Sequence, residues 1–318
     1  MAKQMTKTIP RDERLLQAFK EDCTIRGMSP ETIRSYYSNV KIFIKFLNEY
    51  LGKSVTQADR FDLREFMRYL REERKISHKR IKNYFSALSC FFEFLEYEGV
   101  VSNNPVRAVR KRYLKRYYKE DDDSFEAKVI SEEEMGEFIN SITDIRDKAI
   151  VTLLVKTGIR RGELQKIDLE DINWEEQSIL LKRRKKRSNR LVFFDDETAY
   201  VLKRWLRVRE KLCRNSNALF PGKNRPYIDR NSIYNAVVKW AQRFGIHDAN
   251  SKRREDHFSP HNLRHCFTTY MRRAGMPREF IQELRGDKRR EAIDIYDKIS
   301  KDELRKEYLA RVPKFGIY

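Results

Sequence analysis

The chain has 318 residues, which is more than one compact domain usually holds and favours two domains. Lysine and arginine total 68 against 48 aspartate and glutamate, so the formal charge is +20, and such a surplus is typical of proteins that bind a polyanion, either nucleic acid or an anionic membrane surface. Because 40% of the residues are hydrophobic, including 19 Phe and 16 Tyr, a wholly disordered basic chain is excluded.

Targeting and redox signals are weak. No apolar run approaches the roughly 18 residues that a membrane span needs, and the N-terminus lacks the apolar core of a secretory signal. We therefore expect no membrane association and a cytoplasmic location, at the nucleoid or in a host cell. The four cysteines never form a C-x-x-C pair, which argues against a structural zinc site and favours free thiols in a reducing compartment.

The first part of the chain, from about residue 10 to 108, has helical periodicity and no strand pattern. A cap signal at Ser29 and Pro30 precedes an amphipathic stretch that reaches Leu51. A shorter amphipathic stretch covers residues 61–74, and a longer one runs from 81 to 95 and stops before Gly99. The pattern predicts an all-helical domain over residues 1–110.

A change of charge follows this domain. Residues 107–119 are rich in Lys and Arg, and residues 120–123 are all acidic. This reversal predicts a linker over residues 111–127. Ser131 with Glu134 forms a capping-box pattern, so a second domain is predicted over residues 128–318.

The second domain begins with helices predicted near 131–141 and 144–156, and Gly158 is a candidate left-handed cap. Residues 172–194 then show an extended, hairpin-like pattern. Helical periodicity resumes in four segments, which cover residues 196–212, 230–244, 260–274 and 277–286. The sequence thus predicts a mainly α protein with a small antiparallel β-sheet.

The loop of the predicted hairpin, residues 182–190, has seven basic residues in nine positions. Like charges held so close repel one another unless a polyanion neutralises them. Taken alone, the loop is explained equally well as a solvated basic turn, since basic runs are common.

Three further groups of polar residues are ambiguous when each is taken singly. His261, Arg264 and His265 share one face of a predicted helix and would repel one another without an anion, although His265 alone is better explained as an interior histidine. Arg160 with Glu163 is ordinarily a weak surface pair. Tyr296 among helical apolar neighbours is usually a core residue.

Taken together, the order and spacing of these groups resemble the tyrosine recombinase (phage integrase) family over nearly the whole chain. Residues 157–164, Thr-Gly-Ile-Arg-Arg-Gly-Glu-Leu, resemble its first-arginine motif, and residues 260–267, Pro-His-Asn-Leu-Arg-His-Cys-Phe, resemble its His-x-x-Arg motif. Residues 282–287, Gln-Glu-Leu-Arg-Gly-Asp, resemble a third motif that is followed nine residues later by a tyrosine, here Tyr296.

The resemblance implies a helical, SAM-like core-binding domain followed by an α+β catalytic domain. It implies an enzyme that cleaves and rejoins DNA through a 3′-phosphotyrosine, without ATP, metal or other cofactor. The catalytic residues that it implies are Arg160, Lys185, His261, Arg264 and Tyr296. The role of general acid falls on Lys185 when Arg190-Leu191-Val192 is aligned with the family pattern, and Lys182 and Lys186 remain alternatives.

One position departs from the family pattern. Asp287 stands where the family commonly has His, sometimes Trp. Because an ionised carboxylate repels a phosphate, we expect Asp287 to point away from the scissile phosphate, to pair with Arg285 or Arg289, or to pack. Glu163 is expected to orient the arginine pair. The residues expected to contact the DNA backbone are Arg107, Arg110, Lys111, Arg112, Lys182, Arg183, Arg184, Lys186, Arg187 and Arg190.

The resemblance also implies a double-stranded DNA partner and a homotetramer on two DNA sites, with a monomer possible in the free state. Residues 301–318 are compatible either with docking on a neighbouring protomer or with an intramolecular cap. The Arg-Gly-Asp variant at 285–287 resembles forms associated with archaeal viruses or plasmids. Two alternatives remain open, a type IB topoisomerase and a non-catalytic DNA-binding descendant, and the lack of a placed acidic triad disfavours a two-metal nuclease.

Overall fold

The structure is a computed structural model that describes residues 11–115, 128–182, 190–212, 216–251, 253–287 and 299–317. The chain divides into two compact units, residues 1–122 and 123–318. Within the described ranges, none of the helices combines the length and the apolar character that crossing a membrane requires.

The part of the first unit that the structure describes, residues 11–115, is a bundle of five helices around an aromatic core. The helices are α1 (Arg11–Ile25), α2 (Pro30–Phe46), α3 (Arg60–Arg68), α4 (His78–Tyr97) and α5 (Val106–Tyr113). Both α2 and α3 end in a wide π-helical turn, Leu47–Leu51 and Tyr69–Glu73. Phe43 and Phe92 are fully buried where α2 packs on α4, and Phe66 of α3 meets Phe43 edge to face at 5.0 Å between ring centres.

Helix α5 crosses the predicted boundary between residues 110 and 111. Its apolar residues Val106 and Val109 are buried in the first unit, and so is Leu114 just beyond it. The Asn104 side chain starts the helix, because its oxygen accepts the N–H of Val106 and its amide donates to the carbonyl of Ser89. The sequence pattern does not predict this helix, because the segment is basic and carries only two buried apolar side chains.

The second unit contains eight helices and a three-stranded sheet among its described residues. The helices are α6 (Glu132–Ser141), α7 (Ile145–Thr157), α8 (Arg161–Leu164), α9 (Asp196–Leu212), α10 (Arg230–Phe244), α11 (Pro260–Arg273), α12 (Arg278–Arg285) and α13 (Lys301–Arg311). The strands are β1 (Ile172–Asn173), β2 (Ser178–Leu181) and β3 (Arg190–Phe193). They pair antiparallel in the order β1-β2-β3, with Leu180 opposite Leu191.

Helix α7 is the centre of the second unit. Its residues from Ala149 to Thr157 are all buried, because α9, α10 and α11 pack around it. A helix that is surrounded in this way carries apolar side chains on every face, which explains the continuous run Ala-Ile-Val-Thr-Leu-Leu-Val. The predicted mainly α fold with a small antiparallel sheet is confirmed.

Residues 301–317 pack on their own unit. Leu304 and Tyr308 of α13 are buried beside β3. The segment after α13 then returns to the main core, where Phe315 and Ile317 are buried. In the single chain, residues 301–317 thus form an intramolecular cap.

Buried charges hold this C-terminal segment. The Lys156 side chain has no exposed area, and its ammonium group donates to Asp195 at 2.7 Å, to Glu197 and to the carbonyl of Pro313. The Glu197 carboxylate also accepts the backbone N–H groups of Phe315, Gly316 and Ile317. The segment is therefore held by main-chain hydrogen bonds as well as by its apolar side chains.

Candidate active site

The left-handed turn at Gly158 brings two candidate arginines to one place. Gly158 ends α7 with φ of 61°, as the sequence predicts. A Cβ atom here would lie 2.3 Å from the ring of Phe267, so only glycine lets α7 end this close to α11. The carbonyl of Gly158 accepts a hydrogen bond from Arg264 of α11, and Arg160 follows two residues later.

Glu163 fixes the backbone and the side chain around Arg160. Its carboxylate accepts the backbone N–H of Arg160 at 2.7 Å and lies 3.5 Å from the Arg160 guanidinium. It also accepts two hydrogen bonds, each 2.9 Å, from Arg190. Burial alone would raise the pKa of Glu163, but the hydrogen bonds and charge of Arg190, with the contribution of Arg160, lower it to about 2. Glu163 is thus permanently ionised at neutral pH.

The guanidinium groups of Arg160 and Arg264 converge on the same two acceptors. Both donate to the backbone carbonyl of Arg285, at 2.9 and 3.0 Å. Both also donate to Oδ1 of Asp287, at 2.8 and 3.0 Å. Oδ2 of Asp287 lies 3.2 Å from Nε of Arg285. Of the alternatives expected for Asp287, the structure shows pairing with Arg285, and the side chain faces Arg160 and Arg264 and does not point away from them.

Arg264 is the most buried member of this arginine cluster. Its side chain is 5% exposed, against 35% for Arg160 and 25% for Arg285. Burial, followed by the charges of Arg160 and Arg285, lowers the pKa of Arg264 to about 9, and the carboxylate of Asp287 acts in the opposite direction. Arg264 therefore stays charged at pH 7, and the carboxylate of Asp287 favours that charge.

The two histidines of α11 are paired with each other. Nε2 of His265 lies 2.9 Å from Nε2 of His261, and their ring centres are 4.4 Å apart. His265 is partly buried, and its ring nitrogen is satisfied by His261. Burial, followed by the charges of His261 and Arg285, lowers the pKa of His265, which makes it neutral at pH 7.

Two residues that we expected to contact DNA have structural partners instead. Arg190 is 8% exposed and donates to Glu163 and to the carbonyl of Leu284, so it links the hairpin to α8 and α12. Lys182 lies within 3.1 Å of three carboxylates, those of Asp168, Glu170 and Asp171. Each charge is thus neutralised within the protein, which disfavours a DNA contact for either residue.

Several predicted residues fall outside the described ranges. They are Lys185, Tyr296, Arg183, Arg184, Lys186, Arg187 and Arg289. Among the residues that the structure does describe, no three His, Cys, Asp or Glu side chains are arranged so that they could hold a metal ion.

The basic residues of α5, which we expect to contact DNA, lie on the surface of the first unit. Arg107, Arg110, Lys111 and Arg112 are all exposed. Three of them line an open groove of about 700 Å³ whose other wall is α4. Arg110 donates to the hydroxyl of Ser86 within it, and Arg107 pairs with Glu96 at 3.3 Å.

Sequence reasoning missed the part that the turn after α12 plays. The backbone carbonyl of Arg285 accepts hydrogen bonds from both Arg160 and Arg264, and a carbonyl leaves no mark in the side-chain pattern. The signal that was available is the departure at 287, where a negative side chain stands in place of the His that is common in the family pattern.

Two family descriptions match the chain. The phage integrase family matches residues 128–303, and the N-terminal SAM-like domain of phage integrases matches residues 15–100. The first match alone covers more than half of the chain. The protein belongs to the phage integrase family.

Individual relatives and structures agree with this membership. The tyrosine recombinase XerC of Psychromonas ingrahamii is 28% identical over 287 residues, which cover 89% of this chain and 90% of that protein. The XerH site-specific recombinase in a pre-cleavage complex with difH has a TM-score of 0.63 at 20% identity, covering 93% of this chain and 82% of XerH. A lambda integrase tetramer bound to a Holliday junction has a TM-score of 0.65 at 16% identity, with 90% and 77% covered.

The family resemblance inferred from the sequence motifs is therefore confirmed. As a tyrosine recombinase of the phage integrase family, the protein is an enzyme that cleaves and rejoins DNA strands.

Proposed function

We propose that this integrase-family enzyme is a site-specific recombinase in which Tyr296 attacks a DNA phosphodiester held by Arg160 and Arg264. The observation that supports this most strongly is the convergence of the two guanidinium groups on one anionic oxygen, Oδ1 of Asp287, at 2.8 and 3.0 Å. Two planar, always-charged donors aimed at one point suit the non-bridging oxygens of a phosphate, where negative charge concentrates in the transition state.

The remaining roles follow from the chemistry of the step. A tyrosine hydroxyl has an ordinary pKa of about 10, so its attack is helped by the positive site and by His261 as a proton acceptor. The departing 5′-hydroxyl takes its proton from Lys185. The 3′-phosphotyrosine then formed conserves the energy of the broken ester, so a new 5′-hydroxyl can reverse the reaction without ATP or metal.

The proposed partner is double-stranded DNA, bound in the cytoplasm. A net charge of +20 and the exposed basic residues of the α4–α5 groove support it, because neutralisation of backbone phosphates dominates the affinity for DNA. We place the DNA-binding role of residues 1–110 in this groove. We further propose a homotetramer on two DNA sites that dissociates to monomers when free, an arrangement consistent with the lambda integrase tetramer on its Holliday junction.

Covalent trapping tests the chemistry. A duplex site is first selected from random-sequence DNA by repeated rounds of binding, and a nick is then placed beside the cleavage position so that rejoining cannot occur. We expect wild type to form an adduct that survives detergent and Tyr296→Phe to form none. Tyr200→Phe, at an exposed tyrosine of α9, is the matched control and should behave as wild type. An adduct from Tyr296→Phe, or duplex binding by wild type without any adduct, would overturn the proposal.

A plasmid that carries two copies of the selected site separates the recombinase from the topoisomerase. The proposal requires recombinant circles whose number depends on both sites. Relaxation of supercoils at the same rate with one site, two sites or none, without recombinant products, would show a type IB topoisomerase activity instead.

A further inference from the structure

The turn after α12 carries two opposite charges, and the acidic one, Asp287, is the residue that departs from the family pattern. Arg285 and Asp287 flank Gly286, which ends the helix with φ of 61°. A Cβ on Gly286 would lie 2.5 Å from Nη1 of Arg190, so the turn rests directly on that guanidinium. Arg190 also donates to the carbonyl of Leu284, and the backbone N–H of Asp287 donates to the carbonyl of Gln282. The backbone of Asp287 is thus held in a fixed place.

From this position the Asp287 carboxylate serves three guanidinium groups. Oδ1 accepts from Arg160 and Arg264, and Oδ2 lies 3.2 Å from Nε of Arg285. Oδ1, which accepts from Arg160 and Arg264, lies at the point where the N–H donors of the two arginines converge. A phosphate oxygen that receives the same two donors has to take that same point.

Two anions cannot share this point. An ionised carboxylate in contact with a phosphate oxygen is strongly repelled where little solvent screens the charges, and Arg264 is almost completely buried. Either Asp287 leaves or the phosphate does not bind. Asp287 has room to leave, because its side chain is 29% exposed, and it has a place to go, because Arg285 already faces its second oxygen.

We propose that Asp287 is an internal phosphate surrogate. It pairs Arg160 with Arg264 in the DNA-free enzyme, is displaced by the scissile phosphate, and then remains paired with Arg285 alone. The inference rests on the proposed role of Arg160 and Arg264 as the phosphate-binding pair.

This exchange gives the site a selectivity against small anions. A free anion has to expel a carboxylate that the backbone holds nearby at high effective concentration. The phosphate of a bound duplex is likewise held nearby by the many other contacts between protein and DNA, so it competes on equal terms. The surrogate also keeps the two arginines correctly placed and charged until the DNA arrives, which reduces the reorganisation needed for the reaction.

Sulfate binding to the full-length protein tests the exchange without any need for the DNA target. Affinity is measured from the rise of Tm with sulfate concentration at constant ionic strength. We expect Asp287→Asn to have a lower Tm than wild type without sulfate and to bind sulfate at least 10-fold more tightly. Asp302→Asn makes the same change of charge at an exposed position in the first turn of α13, and its affinity should equal that of wild type.

If Asp287 only supports the arginines, its replacement should not tighten sulfate binding. If Asp287→Asn binds sulfate as weakly as wild type, or more weakly, Asp287 is a permanent part of the site and the exchange is refuted. If Asp287→Asn does not fold, Asp287→His makes the same comparison, because His is common at this position in the family.

Adding Arg264→Ala to Asp287→Asn locates the anion. We expect the double variant to lose the tightened sulfate binding. If it retains that binding, sulfate lies elsewhere, and the proposed phosphate contact of Arg264 fails as well. The exchange and the phosphate contact of Arg264 can therefore fail separately. If wild type and Asp287→Asn bind sulfate equally well and the double variant loses sulfate binding, the exchange alone is refuted.

Discussion

Arg190 donates two parallel hydrogen bonds, each 2.9 Å, to the carboxylate of Glu163. This bidentate pair joins the first residue of strand β3 to the short helix that follows Arg160. Because Glu163 also accepts the backbone N–H of Arg160, strand β3 and Arg160 are fixed to the same carboxylate. A residue that looks like a DNA contact in the sequence is therefore part of the support for the active site.

Removal of the charge of Glu163 should destabilise the second unit. Glu163→Gln leaves the buried guanidinium of Arg190 without its counter-ion, and the expected loss of unfolding free energy is about 3–5 kcal/mol. Urea denaturation measures it, with Glu137→Gln at an exposed position of α6 as the control.

The same pair predicts a loss of stability in acid. The pKa of Glu163 is lowered from 4.5 to about 2, so its contribution is complete above pH 4.5 and disappears as the pH falls to about 2. A shift of this size corresponds to about 3 kcal/mol. Over this range the stability of wild type and Glu163→Gln should converge, and parallel curves would contradict the assignment.

The buried lysine that holds the C-terminal segment gives a second prediction. Lys156→Met keeps the aliphatic volume but leaves the carboxylates of Asp195 and Glu197 buried without the ammonium group. We expect a loss of about 3–5 kcal/mol, since removal of one partner from a buried ion pair leaves an uncompensated charge. Lys211→Met, at an exposed position in the last turn of α9, should change stability by less than about 0.5 kcal/mol. Equal effects of the two substitutions would show that the Lys156 network contributes nothing.

The salt dependence of DNA binding separates the two classes of basic residue. Arg110→Gln or Lys111→Gln should reduce the slope of log K against log salt concentration by about 1, because each removes one proposed phosphate contact in the α4–α5 groove. Lys182→Gln should leave the slope unchanged, because three carboxylates already neutralise Lys182. Filter binding to a duplex at several salt concentrations measures the slopes. If Lys182→Gln reduces the slope as much as Arg110→Gln does, Lys182 contacts DNA.

Much of this fold is encoded locally and could be predicted from the sequence. Helix starts at Ser29 and Ser131 and stops at Gly158 and Gly245 follow from side-chain caps and from the left-handed backbone that glycine adopts. Helix α5 could not be predicted in this way, because its two buried apolar residues are scattered through a basic run.

The contacts of the site depend on pairings between distant residues. Asp287 and Arg160 are 127 positions apart, and a single sequence does not show that they meet. The motifs correctly mark Arg160, Glu163, Arg264 and Asp287 as neighbours of one site. What they omit is that an acidic residue in the family's histidine position turns inward, because Arg160, Arg264 and Arg285 attract its carboxylate.

Arg264→Ala should separate catalysis from binding. The substitution removes one of two groups that stabilise the transition-state charge, so we expect cleavage of the nicked substrate to fall by at least 100-fold. Affinity for the duplex should fall less than 10-fold, because one phosphate contact is lost among many. Cleavage and gel-shift assays on one substrate measure both quantities. A parallel loss of cleavage and of binding would contradict the role given to Arg264.

The central claim is that a single tyrosine becomes joined to the broken strand, and mapping the covalent adduct tests it most directly. Trypsin cleaves after Arg290 and Lys298, which isolates Tyr296 in a peptide that contains no other tyrosine. After nuclease treatment of the trapped complex, the account predicts a nucleotide on this peptide, attached at Tyr296 through a 3′-phosphate. A nucleotide attached to any other residue, or through a 5′-phosphate, would contradict it.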